Sequence, residues 1–164
     1  VNRSRSDDRR RERAIAWGLV AVQAALIVAI LLVPVGDAWP LPPLVAALAT
    51  ALTGIGGVLI VWAVLVFGRG VTPSPLPSGK ASLTVRGPYR WMRHPMYTGV
   101  ITMMAGAAMS RRSWLALAFW VILVAFFHTK AGWEERRLVA TYQGYREYRD
   151  RTARFVPFLQ RAQG

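Results

Sequence analysis

Polar and apolar positions along this chain fall into blocks rather than mixing at a short period. Residues 1–13 (VNRSRSDDRRRER) are a charged run, and residues 14–33 follow as 20 apolar positions broken only by Gln23. At about 1.5 Å of rise per residue, such a run crosses a hydrocarbon core of roughly 30 Å. A cleavable signal peptide also sets arginines before an apolar stretch, but its apolar part is usually about 7–15 residues. The run is therefore read as a retained helix, preceded by a basic tail that is flexible or lies on the membrane surface. Residues 34–43 (PVGDAWPLPP) hold four prolines and predict a short turn at a membrane face. Residues 44–67 are a second apolar run, of 24 positions, in which Gly54, Gly56 and Gly57 offer small surfaces for close helix approach.

A loop rich in proline, glycine and serine (68–85) leads into a polar cluster, 86–99, RGPYRWMRHPMYTG. Two apolar runs of 14 residues follow, 96–109 and 114–127, joined by SRRS. Fourteen residues reach roughly 21 Å, short of a crossing. Either the pair is a hairpin that penetrates partway, or each helix continues into its polar flank, with Arg111 and Arg112 snorkelling at the far end. The last helix is read the second way, because residues 130–138 are good helix formers without proline. From Glu134 onward the chain is amphipathic. Tyr142, Tyr145 and Tyr148 recur every third residue, which predicts an interfacial helix with an aromatic anchor; direct ligand contact is the other reading.

The expected fold is an all-α polytopic membrane protein with about four membrane helices, the last two a short hairpin, and a cytoplasmic C-terminal helical segment. A length of 164 residues suits one domain, 14–164, behind the 1–13 tail. The formal charge of +13 invites a nucleic-acid reading, but the positions of the charges argue otherwise. Six lysines and arginines lie in the tail, five in 68–93 and eight from residue 130 onward, against only Arg111 and Arg112 on the other side of a four-helix topology. That bias predicts that both termini and the polar cluster are cytoplasmic, in a bacterial inner or plasma membrane. It accounts for most of the charge with no nucleic acid as partner. There are no cysteines, two histidines and eight acidic residues, so disulfides and thiol catalysis are excluded and no metal site is expected.

The chemistry concentrates at the boundary. Pro95 suits the first position of a helix with His94 as its cap-like neighbour. The free N–H groups and positive dipole end there favour an anion. Tyr97 falls one turn on, and Gly99 opens space for something bulky. The cluster reads either as a pocket for a polar molecule bearing a carboxylate or as a basic belt for lipid headgroups. The second constellation is KAGWEERRL (130–138), two adjacent acids directly after a membrane helix. Ionisable groups at that depth are functional candidates. Lys130 and Glu134 are helical neighbours, a salt bridge being the plain alternative; Glu135 faces about 100° away.

The order RHPMYTG, apolar hairpin, EERRL, YQGYREY and RFVP resembles the isoprenylcysteine carboxyl methyltransferase and phospholipid methyltransferase superfamily, over a core region of 81–157. The resemblance implies S-adenosylmethionine (SAM) as methyl donor and a lipophilic acceptor: an isoprenylcysteine-type carboxylate, a phospholipid amine or another small lipophilic or prenylated molecule. By position it implies a cofactor site of Ala81, Ser82, Leu83, Thr84, Tyr89, His94, Pro95, Met96, Tyr97 and Glu134, with Glu135 in support. Glu134 and Lys130 are the implied catalytic residues, and Lys130 stands where the carboxyl methyltransferases hold their substrate with arginine. Lysine keeps the charge and loses the two-pronged fork. Two other readings remain open: a sterol-reductase-like enzyme consuming NADPH, and a non-enzymatic membrane protein that binds lipid or a partner through its basic face. The oligomeric state is not legible.

Overall fold

The computed structural model describes residues 2–68 and 83–157, with side chains from Arg10 onward. Five α-helices follow in order: α1 (Asn2–Leu32), α2 (Pro43–Phe67), α3 (Pro95–Ser110), α4 (Trp114–Thr141) and α5 (Tyr145–Arg151). A 3₁₀ turn, Gly87–Arg90, precedes α3. Among the described residues three stretches, Arg10–Leu32, Pro43–Phe67 and Trp114–Thr141, are long and apolar enough to cross a membrane. Their outward faces carry exposed leucine, valine and tryptophan, with Leu44 81% exposed, as a lipid solvent permits and water does not. The chain is a polytopic helical membrane protein.

The basic segment before residue 14 is helical and continuous with α1 instead of a flexible or surface-lying tail. The last two helices are unequal. Helix α4 runs on to Thr141, as a helix continuing into its polar flank requires, while α3 keeps 16 residues, about 24 Å.

Backbone proximity holds α2 to α3. In lipid, helices associate through van der Waals contact between small residues rather than by escaping water. Gly56 packs on Gly99, where an added Cβ on Gly56 would meet the Gly99 carbonyl at 2.5 Å. One on Gly99 would meet Ile60 Cγ1 at 2.6 Å and the Gly56 carbonyl at 2.9 Å. Gly106 presses on the Ala49 carbonyl and the Thr53 hydroxyl. Gly99 therefore opens no space for a ligand; α2 fills it. Gly54 and Gly57 face outward with no neighbour within 4 Å, so Gly56 alone of the three makes the expected close approach.

At one end of the bundle the 34–42 turn is stitched to the α3–α4 turn. Gly36 and Ala38 donate to the Arg111 and Arg112 carbonyls at 2.8 and 3.0 Å. The guanidinium of Arg111 reaches the Val33 carbonyl at 3.2 Å and that of Arg112 the Trp39 carbonyl at 2.7 Å. These arginines satisfy carbonyls at the end of α1 and in the turn, where snorkelling into open solvent was expected. At the other end Glu12 pairs with Arg137 at 3.3 Å, setting α1 antiparallel to α4. Inside, Ile30, Met104, Leu123 and Phe127 form a core under the polar end, and Trp120 donates to the Ile101 carbonyl at 2.9 Å, joining α4 to α3.

Gly99→Leu is expected to wedge α2 from α3 and cost about 1–3 kcal/mol, the usual range for overpacking. Gly54→Leu and Gly57→Leu should leave stability unchanged. Thermal unfolding in detergent micelles separates the two outcomes.

Candidate active site

The polar end is assembled on one carboxylate. Glu135, on the last turns of α4, is 4% exposed. Its Oε1 accepts from Arg93 Nε at 3.0 Å, from Arg154 Nε at 3.1 Å and lies 3.1 Å from His94 Nε2; its Oε2 accepts from Arg154 Nη2 at 2.7 Å. A buried carboxylate requires this density of partners, since leaving it unpaired would be costly. Arg93 also donates to the carbonyls of Arg149 and Thr152.

The backbone closes the same seam. Arg93 and His94 donate their N–H groups to the carbonyls of Ala153 and Arg154 at 2.8 and 3.1 Å, and Thr98 Oγ1 donates to the Phe155 carbonyl at 2.9 Å. His94 caps α3 and Pro95 is its first residue, as expected. Proline costs nothing there because that N–H has no helical partner. The chain returns to this seam through the turn after α4, where Gly144 has φ +82°, a left-handed conformation that suits glycine.

Tyr145 and Tyr148 are buried, which corrects the expectation of an interfacial aromatic anchor. The Tyr148 hydroxyl donates to the Tyr89 carbonyl at 2.6 Å. Burial pushes the Tyr148 phenol up to about 12, with Glu135 adding to the rise and Arg93 opposing it. Burial likewise raises Tyr89, with Tyr148 and Glu134 as further causes. The Tyr145 hydroxyl is buried and has no hydrogen-bond partner among the described residues.

Glu134, the adjacent acid, faces elsewhere. Its Oε2 accepts from the Tyr97 hydroxyl at 2.8 Å and lies 3.8 Å from His94 Nδ1. It is only partly buried. The His94 and Tyr97 rings stack at 5.2 Å, and Tyr97 stacks in turn on Phe127 at 4.6 Å. His94 thus lies between the two acids, 3.1 Å from Glu135 at Nε2 and 3.8 Å from Glu134 at Nδ1. Lys130 lies within the same helix, 3% exposed, its Nζ 5.1 Å from the Tyr97 ring centroid. It bonds Gln23 of α1 at 2.5 Å instead of forming the salt bridge with Glu134 that their spacing allows.

Of the sequence-predicted site residues, His94, Pro95, Tyr97, Lys130, Glu134 and Glu135 come together here, and Tyr89 adjoins them. Met96 is half-buried on the first turn of α3. Leu83 and Thr84 are half-buried ahead of the 3₁₀ turn, with no side-chain bond to the cluster among the described residues. Ala81 and Ser82 lie outside the described residues. Sequence reasoning missed Arg93, Arg154 and Gln23. The first two stand inside the RHP and RFVP motifs, so the signal was present; for Gln23 it was the lone polar break in an apolar run.

The donor set suits a sulfonium cofactor. A partly exposed carboxylate beside aromatic faces attracts a cation. Both Glu135 oxygens are engaged by Arg93, His94 and Arg154, which makes this carboxylate the clasp of the site.

Glu135→Ala is expected to leave Arg93 and Arg154 without their counter-ion and to cost about 3–5 kcal/mol in thermal unfolding. Tyr148→Phe should cost about 0.5–1.5 kcal/mol near neutral pH. The raised Tyr148 pKa favours the neutral phenol in the fold, so its contribution is complete below the ordinary value of 10 and is lost as pH rises through about 12. Alkaline unfolding curves of Tyr148→Phe should therefore fall less steeply between those pH values than those of the wild type.

No individual curated protein and no solved structure matches the chain. The profile of the phospholipid methyltransferase family matches residues 44–144, well over half of the chain, from the start of α2 through the Glu134–Glu135 pair to Gly144. With the cluster of RHPMYTG and EERRL residues at the polar end of a helical membrane bundle, that match identifies the chain as a member of the phospholipid methyltransferase family of membrane methyltransferases.

Proposed function

We propose that this protein transfers the methyl group of SAM to a lipophilic acceptor at the cytoplasmic boundary of its membrane. The observation that carries this reading is the Glu134–Tyr97–His94 cluster, a partly exposed carboxylate among aromatic rings at the basic end of an apolar bundle. A charged donor comes from water and a lipophilic acceptor stays in the bilayer, so the reaction needs a site where apolar helix gives way to polar. Glu134, Tyr97, His94 and Tyr89 would hold the cofactor, with Met96, Leu83 and Thr84 as further contacts. When bound, SAM supplies an electrophilic methyl on a cationic sulfur.

The chain's own part is alignment, which supplies up to roughly 7–11 kcal/mol in well-oriented reactions. Glu134 keeps its carboxylate directed by the Tyr97 hydroxyl. Lys130 would hold an acid group of the acceptor. A carboxylate acceptor needs no general base; an amine acceptor needs one, and Glu134 or His94 would take its proton, since both Glu135 oxygens are occupied. The positive-end bias of lysine and arginine supports a cytoplasmic site.

The test is calorimetric SAM binding by the full chain in lipid nanodiscs. His94→Ala, Tyr97→Ala and Glu134→Ala should each weaken binding about tenfold or more, roughly 1.4 kcal/mol. Lys130→Ala should leave SAM affinity intact and impair acceptor use. Unchanged affinity in the first three variants would overturn the site. NADPH oxidation by the wild type would favour the reductase reading instead.

A further inference from the structure

Gln23 is the single polar break in the first apolar run, and the family match begins only at residue 44. Yet α1 carries this residue to the site, where its Oε1 accepts from Lys130 Nζ at 2.5 Å. The ammonium is buried beside the Tyr97 and Phe127 rings, 5.1 and 5.9 Å from their centroids. Among the described residues it is in no ion pair, and Gln23 is its hydrogen-bond partner. This contrasts with the clasp one turn away, where a buried carboxylate collects two arginines and a histidine. A neutral amide orients an ammonium without cancelling its charge. It also leaves two ammonium hydrogens, and the amide's own, for another acceptor. A buried cation held this way is costly unless an anion joins it.

We propose that Gln23 is a positioning residue for the acceptor. It aims Lys130 and, being uncharged, keeps the net positive charge of the pair available to an acid group of a lipophilic acceptor. The acceptor class is an amphiphile bearing a carboxylate or phosphate close to the methylated atom. This rests on the acceptor role of Lys130 proposed above. Helix α1 then belongs to the acceptor site and is more than a membrane anchor.

The test measures calorimetric binding of dodecyl phosphate to the full chain in dodecyl maltoside micelles, with SAM binding and melting temperature in parallel. The wild type should bind dodecyl phosphate saturably. Gln23→Glu places a carboxylate on Lys130 and should weaken the probe about tenfold or more without lowering the melting temperature. Gln23→Leu removes the aim but not the charge and should weaken it about two- to fivefold. In a Lys130→Met background Gln23→Glu should change nothing further, and SAM affinity should hold throughout. A residue with only a structural role would let Gln23→Glu bind the probe as tightly as the wild type, which would overturn the proposal. Failure of the wild type to bind dodecyl phosphate while it binds SAM would also overturn it and leave the cofactor reading standing. Failure to bind SAM as well would defeat both.

Discussion

The polar end of this protein depends on the burial of the Glu135 carboxylate. A lone carboxylate at that depth would be expensive, and the chain meets the cost by bringing Arg93, His94 and Arg154 to it from two distant segments. That pairing draws the start of α3 against α4 and folds the segment after α5 back across both. The backbone bonds of Arg93 and His94 to residues 153 and 154 then have little freedom. The clasp also divides labour between adjacent acids. Neighbours on a helix point about 100° apart, so while Glu135 faces the arginines, Glu134 faces Tyr97 and lies 3.8 Å from His94 Nδ1.

The rest of the bundle sets where this cluster sits. Glycine contacts bring α2 and α3 to backbone distance, and the bonds of Arg111 and Arg112 tie the opposite end shut. Helix α3 is short, so its first turn, carrying His94 and Tyr97, lies beside the part of α4 where apolar residues give way to Lys130, Glu134 and Glu135. The same rows of apolar side chains that favour lipid thus end at a group of charged and aromatic ones.

Much of this was legible in the sequence, for identifiable reasons. Apolar runs long enough to span, and the proline after His94, are local signals that tertiary structure seldom overrides, and α1, α2 and the start of α3 follow them. The continuation of α4 was readable from the absence of proline after Lys130. What was hidden depended on a partner elsewhere in the chain. Gly99 looks like open space until Ile60 and Gly56 of α2 fill it. The tyrosines after Gly144 read as surface anchors because their period says nothing of the Tyr89 carbonyl that Tyr148 meets. Gln23 read as a blemish in an apolar run because its partner lies on another helix, at Lys130. The helical state of the residues before 14 was masked by their charge, which favours solvent but does not forbid a helix continuing from α1.

The most direct measurement follows a labelled methyl group. Full-length protein in vesicles of its host membrane lipid is incubated with methyl-labelled SAM, and the label is partitioned between aqueous and organic phases. Accumulation of label in the organic phase, dependent on the protein and abolished by Glu134→Ala, is the predicted result. Label that stays entirely in the aqueous phase with folded wild-type protein would contradict methyl transfer to a lipophilic acceptor.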